Sequence, residues 1–254
     1  MARTFDPIEL EVLWQSLIAT VNEQARALQR AAFSPIVREA GDLANAVFDK
    51  RGRMVAQAVT GTPGHINSLA RAVGAILDDY PISSLKPGDI LVTNAPYKTA
   101  GQLLDVTVMC PVWKNNEIIA FFGSTIHHTD VGGYGIGAGA RDVFEEGLWI
   151  PICRLMIGGE RNHDVWKFIL SNVRQPDHMA GDLQAQMASG EVGARRLLAL
   201  CEQHDLDDIE ELSDEIIERS DAATRAAIRE LPAGTYKASA ELDLADGSRI
   251  HIAC

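Results

Sequence analysis

The chain has 254 residues, 46% apolar and 23% charged, the make-up of an ordinary globular protein with ample material for a core. Its net charge of −12 excludes a nucleic-acid partner held through phosphates, which needs a basic surface. No stretch approaches the ~20 apolar residues that span a bilayer, and residues 1–7 lack the apolar run of a secretion signal.

Asp6 is placed to cap a helix, Pro7 suits its first position, and Glu9 completes a capping-box spacing. Leu10, Leu13, Trp14, Leu17, Ile18, Val21 and Leu28 then recur at helical spacing, so one face is buried. Two short apolar runs, 45–48 and 54–58, flank a Gly-containing turn and predict a β-hairpin. Residues 66–77 predict a second helix that ends before Pro81, and 89–93 a strand. Residues 106–113 and 118–126, joined through Asn115 and Asn116, predict a second hairpin, followed by a loop with glycines at 132, 133, 135, 137 and 139. A helical segment is expected over roughly 161–231. Within it the acids from Asp205 to Glu218 have no basic residue among them, which predicts a solvated face. Pro232 and Gly234 break the helix, and 236–244 and 249–252 form a final hairpin around Asp246 and Gly247. The order of helix, strands, helices, strands argues for α+β, with hairpins and a mixed sheet. Cys110, Cys153, Cys201 and Cys254 are far apart and form no C-x-x-C pair. They read as buried, inert thiols of a cytoplasmic protein, and Cys254 falls in what reads as a strand.

The densest polar cluster is His127, His128, Thr129 and Asp130 at the end of a strand, before the Gly-rich loop. Imidazoles and a carboxylate there can move protons or bind a metal. On a strand His127 and His128 point to opposite faces, so both do not serve one ion. Asp105 begins the strand paired with the one that ends at His127, and hairpin geometry brings the two together. Arg38, Glu39 and Asp42 form a further cluster that could be a surface ion pair. His65 stands at a helix start, where capping, packing and functional roles all remain open. There is no phosphate-binding loop, no serine-hydrolase elbow and no dinucleotide site, since Asp142, Glu145 and Glu146 beside the 135–139 glycines oppose a pyrophosphate.

Taken together, these segments resemble the hydantoinase B/oxoprolinase family. The resemblance runs through Asp6–Leu10, Arg38–Asp42, Val47–Asp49, Gly64–Ile66, Asn94–Tyr97, His127–Gly133, Glu146–Leu148, Asn172–Arg174 and Gly181–Gln186. It implies that residues 1–254 are the N-terminal part of a longer catalytic subunit. It implies a hetero-oligomer in which a hydantoinase A-type ATPase partner binds ATP and Mg and phosphorylates a small-molecule substrate. It also implies either cyclic-amide hydrolysis or carboxylation of a ketone, such as acetone or acetophenone, through a phosphorylated enol. Where the family holds Zn or Mn, the matching positions are Asp42, Gln102, Asp105 and His127. Gln102 stands where an imidazole is expected, and an amide oxygen is the poorer ligand. That loss points to the carboxylase branch, with His127, His128 and Asp130 in the chemistry, because a metal-activated water suits the hydrolase.

Overall fold

The computed structural model describes residues 5–137, 139–244 and 247–253. Its elements are α1 (Pro7–Ala31), α2 (Pro35–Arg38), β1 (Leu43–Phe48), β2 (Met54–Gln57), α3 (Pro63–Asp79), β3 (Ile90–Thr93), β4 (Asp105–Lys114) and β5 (Glu117–His127). They continue with α4 (Val143–Glu146), β6 (Cys153–Ile157), β7 (Glu160–Arg161), α5 (His163–Ser171), α6 (Pro176–Gln203), α7 (Glu210–Arg229), β8 (Ser239–Asp243) and β9 (Arg249–Ala253). The chain divides into two compact units, residues 1–216 and 217–254. The second holds the end of α7 and the β8–β9 hairpin, whose strand residues are all exposed. Asp246 and Cys254, which the sequence places in a turn and a strand, lie outside the described residues. Among the described residues no helix is long and apolar enough to cross a membrane.

The first unit is built on a seven-stranded sheet in the order β2-β1-β5-β4-β3-β6-β7. The sequence suggested a mixed sheet, but every pairing is antiparallel. No neighbouring pair is joined by the helical crossover that a parallel pair needs. The β4–β5 hairpin turns through Asn115 and Asn116, both with positive φ (51° and 66°), the geometry of a twist-matched two-residue turn. A strand the sequence reading missed, β6, pairs with β3. The helical segment consequently begins at His163 and breaks at 172–175 and 204–209.

Strand alternation separates two buried faces. Leu43 and Val47 of β1, Val112 of β4, and Phe122 and Ile126 of β5 pack with the α1 stripe, Leu10, Leu13, Leu17, Val21 and Leu28, and with Leu197 of α6. On the other face Ala44, Ala46 and Phe48, with Met109 and Phe121, pack against Leu69, Val73 and Ile76 of α3. Each fully buried aliphatic side chain contributes about 1.5–3 kcal/mol of burial free energy as an upper figure. α1 itself starts where its signals put it, with the Asp6 carboxylate accepting from the Ile8 and Glu9 N–H groups. Gly193 of α6 sits against the Phe122 ring, where a Cβ would come within 2.6 Å of a ring carbon.

The acidic stretch is not wholly solvated. Lys50 pairs with Asp208, Arg51 with Glu210 and Asp214, and Arg53 with Asp49 and Asp214. Glu210 also accepts the Lys50 N–H. The start of α7 therefore neutralises the β1–β2 turn, a pairing invisible to a reading that looks for basic partners within the run itself.

Candidate active site

Asp105 and His127 lie directly opposite one another in the β4–β5 ladder, which the hairpin argument anticipated. Both side chains project to the α3 face, by the same alternation that sends Met109 and Phe121 there. The two remaining members come from α3 and from the turn before β1. His65 stands in the first turn of α3 and Asp42 just before Leu43. The His65 ring lies between the carboxylates, with Nδ1 3.3 Å from Asp42 Oδ1 and Nε2 3.2 Å from Asp105 Oδ2. His127 Nδ1 is 3.2 Å from Asp105 Oδ1 and 3.8 Å from Asp42 Oδ2. Thr62, the residue that precedes α3, donates from Oγ1 to Asp42 Oδ1 at 2.5 Å, and its N–H donates to Leu43 O. One residue thus ties the Asp42 carboxylate, the start of β1 and the helix that carries His65.

Burial is uneven across the four. Asp105 is 1% exposed and His65 8%, whereas the Asp42 side chain is 29% exposed and that of His127 13%. Burial alone would lower the His65 pKa, but the Asp105 and Asp42 carboxylates outweigh it, so the pKa is raised above the usual histidine value. Burial alone would raise Asp105, yet His127 and His65 hold its carboxyl below the usual range. Neither Asp105 Oδ1 nor His65 Nδ1 has an aligned hydrogen bond, so those two contacts are electrostatic rather than directional.

His127 opens onto a cleft of about 460 Å³ that Gln102, Leu104, Ile136, Arg141 and Glu146 also line. A larger cleft of about 510 Å³, lined by Lys50, Lys86 and Trp113 among others, contains no histidine and no such pair. Because His127 Nδ1 faces the carboxylates, Nε2 is the nitrogen left for a ligand.

The other residues singled out from the sequence are placed differently. His128 is on the opposite face, as strand alternation requires, and is 1% exposed. Its Nε2 meets Gln186 Oε1 at 3.3 Å, and burial lowers its pKa. Gln186 in turn donates to Val106 O and to Ser124, which fastens α6 to the sheet. Asp130 accepts the N–H groups of Gly132, Arg174 and Gln175 and the Arg174 guanidinium. Its lone pairs are thus spent on joining the Gly-rich loop to the start of α6. Asn94 bridges Leu103 O, Leu148 O and the Ile150 N–H and so closes the loop that carries Gln102. Arg38 and Glu39 form an exposed pair 3.6 Å apart, away from the chemistry of Asp42. His65 and Thr62 are the members a residue-by-residue reading misses. The Gly64–Ile66 segment marked the place, but nothing local links residue 65 to residue 105.

Asp42, His65, Asp105 and His127 bring together two carboxylates and two imidazoles, donors that zinc and manganese both accept. Among the described residues no three His, Cys, Asp or Glu side chains form a ligand set around one point. All four oxygens of Asp42 and Asp105 face imidazole nitrogens at 3.2–3.8 Å. Gln102 offers an amide where a third nitrogen ligand would be needed. Asp105 Oδ1 and His65 Nδ1 are both buried without a hydrogen-bond partner, the mark that donors to a cation leave.

The profile of the Hydantoinase B/oxoprolinase family matches residues 6–254. The chain belongs to this family. It is 32% identical over 248 residues to a putative D-/L-hydantoinase subunit from Pseudomonas sp. (strain NS671), a match covering 95% of this chain and 42% of that protein. The ATP-dependent caprolactamase from Pseudomonas jessenii superposes with a TM-score of 0.85 at 30% identity, over 96% of this chain and 43% of that one. Acetone carboxylase in a nucleotide-free structure superposes with a TM-score of 0.83 over 94% of this chain and 32% of that one. At 20% identity that likeness shows the fold alone. The chain spans about two fifths of the length of the hydantoinase and caprolactamase relatives.

Proposed function

We propose that the chain is part of a subunit of an ATP-dependent enzyme that opens cyclic amides, with His127 as the base that activates water. The observation that carries this reading is the Asp105–His127 pair at the wall of the cleft. A buried carboxylate turns Nδ1 of the ring inward and leaves Nε2 facing the space where a substrate fits. An amide carbonyl is a poor electrophile, and phosphorylation of its oxygen by ATP on a hydantoinase A-type partner subunit, with Mg, would activate it. Water then attacks the carbonyl carbon while His127 takes its proton. His127 passes that proton to the amide nitrogen, the second proton of the water follows as the C–N bond breaks, and the acyl phosphate that remains is hydrolysed by a further water to carboxylate and inorganic phosphate. Gln102 and Arg141, on the cleft wall, can donate to the activated oxygen. The likeness to a hydantoinase subunit and to caprolactamase, both at 30% identity or above, supports this choice over others.

His128 and Asp130, one and three residues beyond the base, act in this reading by holding the strand end and the loop. One observation favours a second reading. Gln102 replaces an expected imidazole, and a subunit that adds carbon dioxide to a phosphorylated enol of a ketone needs no metal-activated water. Assembly of the full-length subunit with its ATPase partner tests both. Ring-opened amino acid formed from hydantoins or lactams with ATP supports the first. Labelled bicarbonate fixed into a ketone, with no ring opening, would replace it with the second.

A further inference from the structure

We propose that Gln102 selects the substrate: its carboxamide reads the cis amide of the ring through two parallel hydrogen bonds, Nε2 donating to the carbonyl oxygen and Oε1 accepting from the ring N–H. Cyclic amides with a free N–H are thereby chosen over open-chain amides and ketones. This deepens the cyclic-amide reading above and rests on it.

Gln102 lines the cleft that His127 opens onto. Its backbone carbonyl accepts the Asp105 N–H at 3.2 Å, and Asp105 stands opposite His127 in the β4–β5 ladder. The backbone after it is held on both sides. The Leu103 N–H donates to Glu146 Oε1 at 3.1 Å, Leu103 O accepts from Asn94 Nδ2 at 2.6 Å, and Leu104 O accepts the His128 N–H at 2.8 Å. The Gln102 carboxamide, by contrast, is exposed and has no hydrogen-bond partner among the described residues. The other charged side chains that share the wall with Gln102 and His127 already hold partners. Arg141 Nε donates to both oxygens of Glu145, Asp142 accepts the Phe144 and Glu145 N–H groups, and Glu146 takes the Leu103 N–H. Gln102 thus presents an open donor and an open acceptor from a fixed backbone.

That pair matches a cyclic amide. An open-chain secondary amide is overwhelmingly trans, with its N–H and carbonyl pointing opposite ways. A small ring forces the amide cis, so both point the same way, with N and O about 2.3 Å apart across bonds of ~1.33 and ~1.23 Å. A primary carboxamide has the same spacing and the complementary donor and acceptor, so the two groups close a pair of N–H···O bonds of about 2.9 Å. The two nitrogens of an imidazole point away from each other, so a histidine at this position could not do the same. A ketone has no N–H to give. The O-phosphorylated ring keeps the N–H in its protonated, more electrophilic form, so the Oε1 contact also favours the species that water attacks. Leu104 and Ile136 on the same wall offer apolar surface to the ring methylenes.

The test is binding of δ-valerolactam and its N-methyl derivative, which lacks the N–H, to the full-length subunit in complex with its partner. Calorimetric titration without ATP reads affinity apart from turnover. The wild type should bind the parent lactam about 10–100-fold more tightly than the N-methyl compound. Gln102→Met fills the same space with neither donor nor acceptor, so the parent should weaken until the two compounds bind alike, within about threefold. Gln102→Glu keeps an acceptor and loses the donor; it should bind the parent more weakly than the wild type and still prefer it to the N-methyl compound. Binding by the partner subunit is common to all variants and drops out of the comparison. Because the Gln102 side chain is exposed and bonds nothing, neither variant should unfold the chain, which thermal melting checks. A wild type that does not bind the lactam or does not distinguish the two compounds would overturn the inference. So would a preference that Gln102→Met leaves unchanged, which would place the N–H contact elsewhere. A complex that binds the lactam through Gln102 yet opens none with ATP would contradict the hydrolase reading and leave this inference standing.

Discussion

Alanine at position 130 should be among the most destabilising single changes in the chain, although it leaves the reacting groups untouched. The Asp130 carboxylate accepts N–H groups from Gly132 and Gln175, both at 2.9 Å, from Arg174, and from the Arg174 guanidinium at 3.1 Å. Three backbone donors lose their acceptor in the variant, at roughly 1–3 kcal/mol for each that water does not reach. Asp130 is 9% exposed while the Arg174 side chain is largely open, so solvent recovers part of that loss. The expected cost is about 3–5 kcal/mol. Burial alone would raise the Asp130 pKa, but the backbone donors and Arg174 outweigh it and hold the carboxyl low. A depressed folded-state pKa contributes stability above the unfolded value near ~3.9, and that stability is lost as pH falls through the folded value. Urea unfolding followed by tryptophan fluorescence, at neutral and acid pH, measures both effects. The variant's deficit should be full at neutral pH and shrink in acid. A variant within ~0.5 kcal/mol of the wild type at neutral pH would refute the reasoning.

Three further outcomes follow from the same structure. The Asp42–His65–Asp105–His127 network should stabilise the fold over a bounded pH range. The raised His65 pKa gives stability present below ~6.5 and lost as pH rises through the folded value; the lowered Asp105 pKa gives stability lost as pH falls below ~3.9. In a pH series of unfolding midpoints, His65→Gln should remove the alkaline limb, and an unchanged limb would exclude His65 as its source. Gly193→Ala places a Cβ within 2.6 Å of the Phe122 ring and should cost about 1–3 kcal/mol in thermal unfolding; no change in melting temperature would mean the α6 contact is looser than described. Burial pushes Cys110 up to about 12 and Cys153 to about 11, so neither should react with a thiol reagent near neutral pH until the chain is unfolded. Rapid labelling of the folded protein at Cys110 would show that the α6 side of the sheet opens.

The sequence made the local parts of this fold legible. The Asp6 cap, the α1 stripe, the Asn115–Asn116 turn and the opposite-face rule for His127 and His128 each depend on periodicity or chemistry within a few residues. Hairpin logic extended that reach to the Asp105–His127 pairing, because β4 and β5 are joined by a two-residue turn. What stayed hidden is non-local. β6 pairs with β3 some 60 residues earlier, and its burial is partial, so no clear alternation marks it. Asp208, just before α7, and the acids of its first turns meet cations of the β1–β2 turn across 158 residues or more. His65 looked like a residue of a helix start, and only the packing of α3 on the sheet brings it between Asp42 and Asp105. Asp130 shows the reverse. A carboxylate three residues beyond His127 looks reactive in sequence, yet backbone N–H groups of its own loop and of the distant 174–175 segment consume it.

The central claim is that Asp105 orients His127 as the base of the reaction, and the most direct measurement is the rate of ATP-dependent ring opening by the assembled enzyme carrying Asp105→Asn. With the complex intact, the account predicts a fall in turnover on the order of 10²–10⁴-fold, the usual worth of a positioned general base. A rate within about threefold of the wild type would contradict it, because His127 would then work without the carboxylate that defines the site.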